Sequence, residues 1–149
     1  MAVDVERLKR DWTGFEFDRV EFPVTAEELA AFARAVGETA PWFTDAAHPE
    51  LRAVPNFTTK YHGRRMWPPD FPRLSKTSAG FDAGKRVEVH GPLRPGDVLT
   101  ARSSIHDIYE KTGRSGAMVF IVHRMEFSNQ RGELVATVDW RFLQQPDPD

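Results

Sequence analysis

The chain of 149 residues contains no cysteine. Disulfide frameworks, thiolate metal sites and cysteine nucleophiles are therefore excluded together. A continuous apolar run of about 18 residues is also missing, and the opening Met1-Ala2-Val3-Asp4-Val5-Glu6-Arg7 lacks the apolar centre of a signal peptide. No membrane partner is implied, and a cytoplasmic protein is the expectation. Neither sign of charge dominates: 20 Lys and Arg stand against 22 Asp and Glu, so nucleic acid is not expected as a main partner. A glycine-rich phosphate loop, a His/Asp metal spacing and a Ser-His-Asp arrangement are all absent, so no metal and no cofactor is indicated. The length fits one domain over residues 1–149.

What is present is one strong helix signal followed by strands. Thr25-Ala26-Glu27-Glu28 is a capping box, and Phe22 with Leu29 can staple across it. Leu29, Phe32, Ala33 and Val36 recur at helical spacing, and Gly37 stands where a left-handed C-terminal cap belongs. These residues predict a helix over about 26–36. Val5, Leu8 and Trp12 predict a short leading helix. Pro68, Pro69 and Pro72 bar a long helix between Pro41 and Gly84, leaving room for a short one near Thr58–Met66. From Lys85 the period becomes two. Val87 and Val89, then Leu99 to Ile105 after the Pro95-Gly96-Asp97 turn, read as two strands. Val119 to Phe127 and Leu134 to Phe142, joined by Asn129-Gln130-Arg131-Gly132, read as an antiparallel meander. The tail from Gln145 is polar and Pro-interrupted, and is expected to fray.

The stretch Ala35-Val36-Gly37-Glu38-Thr39-Ala40-Pro41-Trp42-Phe43 resembles the hydratase loop of the MaoC-like hot-dog proteins. In that loop a Gly ends a helix and is followed by Asp, any residue, Asn, Pro, any residue and His. Gly37 and Pro41 match, whereas Glu38, Ala40 and Phe43 occupy the Asp, Asn and His places. Three further segments, Gly91 to Leu99, Ile108 to Gly116 and Gly132 to Thr137, resemble the amino-terminal FAS1-like dehydratase branch of the superfamily. The match covers about residues 15–143. The resemblance implies an α+β hot-dog fold, an antiparallel sheet wrapped around a central helix. It also implies an (R)-specific enoyl hydratase or 3-hydroxyacyl dehydratase framework, acting on acyl thioesters of coenzyme A or acyl carrier protein. Active members use the Asp and His together on one water. Some subunits of the branch lack the pair and form the substrate-binding half of a heterodimer with an active one.

The residues sort accordingly. Glu38 can stand in for the missing Asp, but its extra methylene displaces the carboxylate, and a misplacement of about 1 Å can cost on the order of 100-fold in rate. Phe43 cannot transfer a proton. If chemistry is relocated, His62 with Asp82 or Glu38 is the pair to test. Pro41, Trp42, Phe43, Asn56, Phe57 and Tyr61 are the candidate acyl-pocket residues. Arg64, Arg65, Lys111 and Arg114 are candidates for the phosphates of coenzyme A or the phosphopantetheine arm. His123, between Ile121 and Met125 on a strand face, reads as a satisfied sheet histidine. Three functions follow: a non-catalytic or weakly catalytic acyl-binding subunit, a dehydratase or cyclase with relocated catalytic residues, and a ligand-binding scaffold. A homodimer or a heterodimer with an intact MaoC-like subunit is expected, with the strand at Lys85–Val89 or at Gly116–Val122 as its seam.

Overall fold

The computed structural model describes residues 3–77 and 79–147. In chain order it contains α1 (Val5–Trp12), β1 (Glu16–Pro23), α2 (Ala26–Ala35), α3 (Pro41–Thr44), a 3-10 turn (Phe57–Lys60), β2 (Phe81–Val89), β3 (Val98–Gly113), β4 (Gly116–Ser128) and β5 (Leu134–Gln144). The strands form one antiparallel sheet in the order β1-β3-β4-β5-β2. Its inner face is lined by alternate residues such as Met125 and Phe127 of β4 and Ala136 and Val138 of β5, packed with Leu29 and Ala33 of α2 in one apolar cluster. This is an α+β hot-dog architecture.

Both bonds of the expected capping box are present. Thr25 Oγ1 accepts from the Glu28 N–H at 3.2 Å, and the Glu28 carboxylate accepts from the Thr25 N–H at 3.3 Å. Ala30 and Ala33 of α2 are fully buried with Leu29, so small side chains let the helix approach the sheet closely. The helix ends in a left-handed Gly37, φ +88°, with the Gly37 N–H donating to the Arg34 carbonyl and the Glu38 N–H to the Ala33 carbonyl. Those two bonds make a Schellman cap.

Several expectations change. The segment near Thr58–Met66 forms only the 3-10 turn at Phe57–Lys60. β2 begins at Phe81 instead of Lys85, with a register irregularity between Asp82 and Lys85 that breaks the alternation. β3 runs on to Gly113 through a bulge after Ile105, which places Ile105 and Ile108 both in the interior and breaks a period of two. Gly116–Val122 is not an edge, because β4 pairs with β3 on one side and β5 on the other. The sheet edges are β1 and β2. The tail is pinned as far as Asp147, whose carboxylate accepts from Ser75 Oγ at 2.7 Å, Thr77 Oγ1 at 2.6 Å and the Lys76 N–H at 2.8 Å. Its last two residues, Pro148 and Asp149, lie outside the described residues.

Among the described residues the interior has two apolar clusters. One gathers α2, the 3-10 turn and the near half of the sheet around Leu29, Phe57, Leu99 and Phe127. The other gathers Ile105, Ile108, Val119 and Ile121 beneath α1 and the Trp67–Leu74 segment. Among the described residues no helix is long and apolar enough to cross a membrane.

Candidate functional site

Beyond the Schellman cap the chain enters α3 with Pro41 at its first turn, where a missing N–H costs nothing. This four-residue helix turns Phe43 inward against the first cluster and leaves Trp42 40% exposed. Phe43 forms one wall of a cleft of about 240 Å³. Val54, Phe57, Leu93, Val135 and Ala136 supply its buried apolar floor, joined by Thr58. Val89 at the end of β2, Pro92 and Arg52 complete the rim. Among the lining residues Arg52 carries the one charge and Thr58 the one hydroxyl. Thr58 Oγ1 is buried without a hydrogen-bond partner among the described residues.

Of the candidate acyl-pocket residues, Phe43 and Phe57 line this cleft. Pro41 and Trp42 stand beside it on α3, and Asn56 caps the 3-10 turn on the exposed side. Tyr61 is a core residue, stacked on Phe22 with ring centres 4.3 Å apart. Burial, with the Glu28 carboxylate adding to it, pushes the Tyr61 phenol up to about 12. Glu38 is exposed and is absent from the cleft walls. The Asp and His places of the loop are thus split, one facing outward and the other apolar.

Five other titratable groups, Asp18, His62, Asp82, Lys85 and His123, gather elsewhere in a polar band, whereas His90 bonds Thr137 Oγ1 at 2.9 Å. His123 of β4 lies opposite Trp140 of β5, which lies opposite Lys85 of β2. Lys85 Nζ sits 4.3 Å above the Trp140 ring and donates to the Thr59 carbonyl at 2.9 Å. Phe17 packs on His123 at 5.0 Å, and His62 packs on Trp140 at 5.2 Å. At the β1 end, Asp18 is 7% exposed and fastens the Gly63–Arg65 loop: its Oδ2 accepts from the Arg64 N–H at 2.6 Å and the Arg65 N–H at 3.1 Å. A Cβ on Gly63 would lie 2.7 Å from that oxygen, so only glycine permits the approach.

Burial sets some of the charges in this band and hydrogen bonds set the others. Desolvation works to raise the Asp18 carboxyl, but the N–H groups of Arg65, Arg64 and Arg19 and the Arg64 guanidinium outweigh it and hold the group low. His123 is 2% exposed, and burial pushes it down to about 4, with Lys85 and His62 adding to the effect against Asp18. Among the described residues neither of its ring nitrogens has a hydrogen-bond partner, so it is not the satisfied sheet histidine its strand position suggests. His62 is lowered by burial and then by Lys85, and Lys85 is itself lowered by burial against the pull of Asp82. Asp82 is held low chiefly by the Gly84 N–H, which donates to its Oδ1 at 2.7 Å. His62 and Asp82 therefore border the same Trp140–Lys85 pair, but no hydrogen bond joins them among the described residues. None of these groups lines the cleft.

The basic candidates also separate. Arg64 is committed to Asp18 Oδ1 and the Arg19 carbonyl, while Arg65 is exposed on the same loop. Lys111 and Arg114 lie at the hairpin end of the 16-residue β3, whose opposite end is next to Leu93 and the cleft. Arg52 is the residue the sequence did not single out. It stands alone between Leu51 and Ala53, and its place at the rim comes from a contact to α3: its N–H donates to the Trp42 carbonyl at 3.1 Å. Among the described residues no set of His, Asp and Glu side chains is arranged to hold a metal.

The five-stranded sheet around α2 and the loop that ends α2 define a MaoC-like hot-dog protein. Solved structures agree in fold. The C-terminally truncated HadBC (3R-hydroxyacyl-ACP dehydratase) complex of Mycobacterium tuberculosis matches with a TM-score of 0.64 at 24% identity, covering 97% of this chain and 100% of that one. The MaoC-like dehydratase of Rhodospirillum rubrum matches with a TM-score of 0.61 at 22% identity, over 92% of this chain and 94% of that one. The ChsH1–ChsH2 complex of M. tuberculosis matches with a TM-score of 0.64 at 18% identity, over 97% and 91%. Residues 11–138 match the family model of the FAS1-like, dehydratase domain region, and the chain belongs to that family. A UPF0336 protein of Parafrankia sp. is 33% identical over 87% of this chain and 89% of its own length.

Proposed function

We propose that this chain is the acyl-thioester-binding, non-catalytic subunit of a MaoC-like hydratase or dehydratase. Its thioester is carried on coenzyme A or acyl carrier protein, and its partner is a subunit with the intact Asp/His loop. The observation that carries the reading is the fate of the loop: Phe43, in the histidine place, walls an apolar cleft, while Glu38 is exposed and off that cleft. The floor residues favour an acyl chain by ordinary transfer from water, about 0.8 kcal/mol for each methylene buried. Among the described residues no acid/base pair lines the cleft, so proton movement falls to the partner. β2 bears the exposed Phe81 and Val89 and pairs on one side only, which makes it the candidate seam for a second subunit. The heteromeric HadBC and ChsH1–ChsH2 complexes support pairing of this kind.

The test is hydration of crotonyl-CoA by the purified chain, alone and with an intact MaoC-like subunit. The expected result is baseline turnover alone, together with saturable binding of a longer acyl thioester. Robust turnover by the chain alone that Glu38→Ala abolishes would sink the proposal.

A further inference from the structure

Arg52 is the lone charge on an apolar cleft, and its surroundings hold it ready for a ligand. Its guanidinium carbon lies 5.5 Å from the Phe43 ring centre and 6.0 Å from that of Trp42, so both aromatics of α3 serve as a shelf beneath it. The backbone bond to the Trp42 carbonyl ties the same residue to the same helix. Among the described residues no carboxylate pairs with it. Arg64 uses its guanidinium on Asp18, Arg124 on Asp139 and Arg131 on Glu133, whereas the Arg52 donors are left for something else.

The cleft constrains that something. Beyond Thr58 its floor is apolar, so a pantetheine arm, with its two amides, would lose hydrogen bonds on entering, and a hydrocarbon chain would not. The group reaching Arg52 is therefore one attached directly to the head of the chain. We infer that Arg52 is the head-group anchor of the cleft. It donates to the acyl oxygen, as thioester carbonyl or carboxylate, so that the chain enters tail first and its reacting end stays at the rim. This rests on the acyl-binding reading above and deepens it: Arg52 is a positioning residue that keeps the thioester within reach of a partner's catalytic loop. A planar fork of donors held near two rings suits a single acyl oxygen or a carboxylate, whereas lysine in its place would lack the fork.

The experiment is calorimetric titration of wild type, Arg52→Gln and Arg52→Lys with four probes: decanoyl-CoA, the decanoyl thioester of N-acetylcysteamine, decanoate and decanol. The two thioesters and the acid offer an acyl oxygen, and decanol offers the chain without one. In Arg52→Gln, binding of at least one acyl-oxygen class is expected to weaken by about ten-fold or more, the usual size of a charge-assisted hydrogen bond, with Arg52→Lys in between. Decanol binding should stay unchanged in all three proteins, which also reports that the floor is intact. Loss for the thioesters identifies a thioester head, and loss for decanoate alone identifies a free acid. Equal affinity of wild type and Arg52→Gln for every probe overturns the anchor while leaving acyl-thioester binding in place. Failure of both thioesters to bind wild type, with decanoate still dependent on Arg52, removes the subunit function and keeps the anchor.

Discussion

The cleft and the polar band differ in what each lacks. The cleft has room, but its walls hold one cation, one hydroxyl and otherwise apolar side chains. The band holds His62, Lys85, Asp82, Asp18 and His123, yet its central imidazole is 2% exposed, packed against Phe17 and opposite Trp140 in the sheet. An active site needs space and proton carriers together. Among the described residues the lining of the cleft and these groups do not overlap: α3 turns Phe43 toward the cleft, and the Asp18 carboxylate fastens the Gly63–Arg65 loop at the β1 end of the band.

The contrast can be broken most forcefully at the cleft floor. Phe57 is fully buried, touching Phe32 and Tyr61, and belongs to the first cluster as well as to the cleft. Phe57→Ala is expected to lower the unfolding free energy by about 3–5 kcal/mol, read from urea denaturation at neutral pH. A loss under about 1 kcal/mol would mean that the floor is not part of the core.

The band makes its own prediction through pH. The folded-state value of His123 is depressed from 6.5 to about 4, so between those two values the unfolded chain binds a proton that the folded chain refuses. Stability is then fully present above pH 6.5 and drains away as pH falls toward 4. The loss amounts to about 3 kcal/mol, since every ten-fold drop in the proton affinity of the folded state is worth roughly 1.4 kcal/mol. His123→Leu should flatten that part of the stability profile, and it also removes two buried nitrogens without partners. An unchanged acid limb in the variant would place the titration elsewhere. The smallest effect is expected from His62→Ala and Asp82→Ala. Each should change acyl-thioester affinity, and activity in the presence of an intact partner, by less than about two-fold, since neither residue lines the cleft. Loss of activity in both would move the chemistry into the band and join the two regions after all.

The parts of this molecule that were legible in its sequence are those set by near neighbours. Thr25 and Glu28 satisfy each other within four residues, and Gly37 closes α2 through bonds that reach back only to Ala33 and Arg34. The loop from Gly37 to Phe43 could thus be recognised, together with the inward place of Phe43. Pairing across the sheet was less visible. Alternation marked β4 as a strand, but its central position depends on which strands lie beside it. The bulge after Ile105 hid the continuity of β3 for a similar reason. Arg52 and the partners of His123 were illegible, because the first is defined by rings on α3 and the second by residues from β1, β2, β5 and the loop after the 3-10 turn. Asp147 reversed an expectation based on composition: a polar tail frays only if nothing collects its hydrogen bonds, and Ser75, Lys76 and Thr77 do.

The Schellman cap has one further consequence. Its bonds run from the backbone of Gly37 and Glu38 to the backbone of α2, and α3 is held by backbone bonds of its own, so the hydrogen bonds that shape the turn use none of the side chains at 38, 40 and 43. The turn is a socket in which three side chains can be exchanged like bits in a tool holder. Glu38→Asp, Ala40→Asn and Phe43→His need no rebuilt chain path, only room in a cleft that loses one aromatic ring. In this fold the backbone of that turn is a fixed mount, and the side chains at 38, 40 and 43 are its interchangeable fittings.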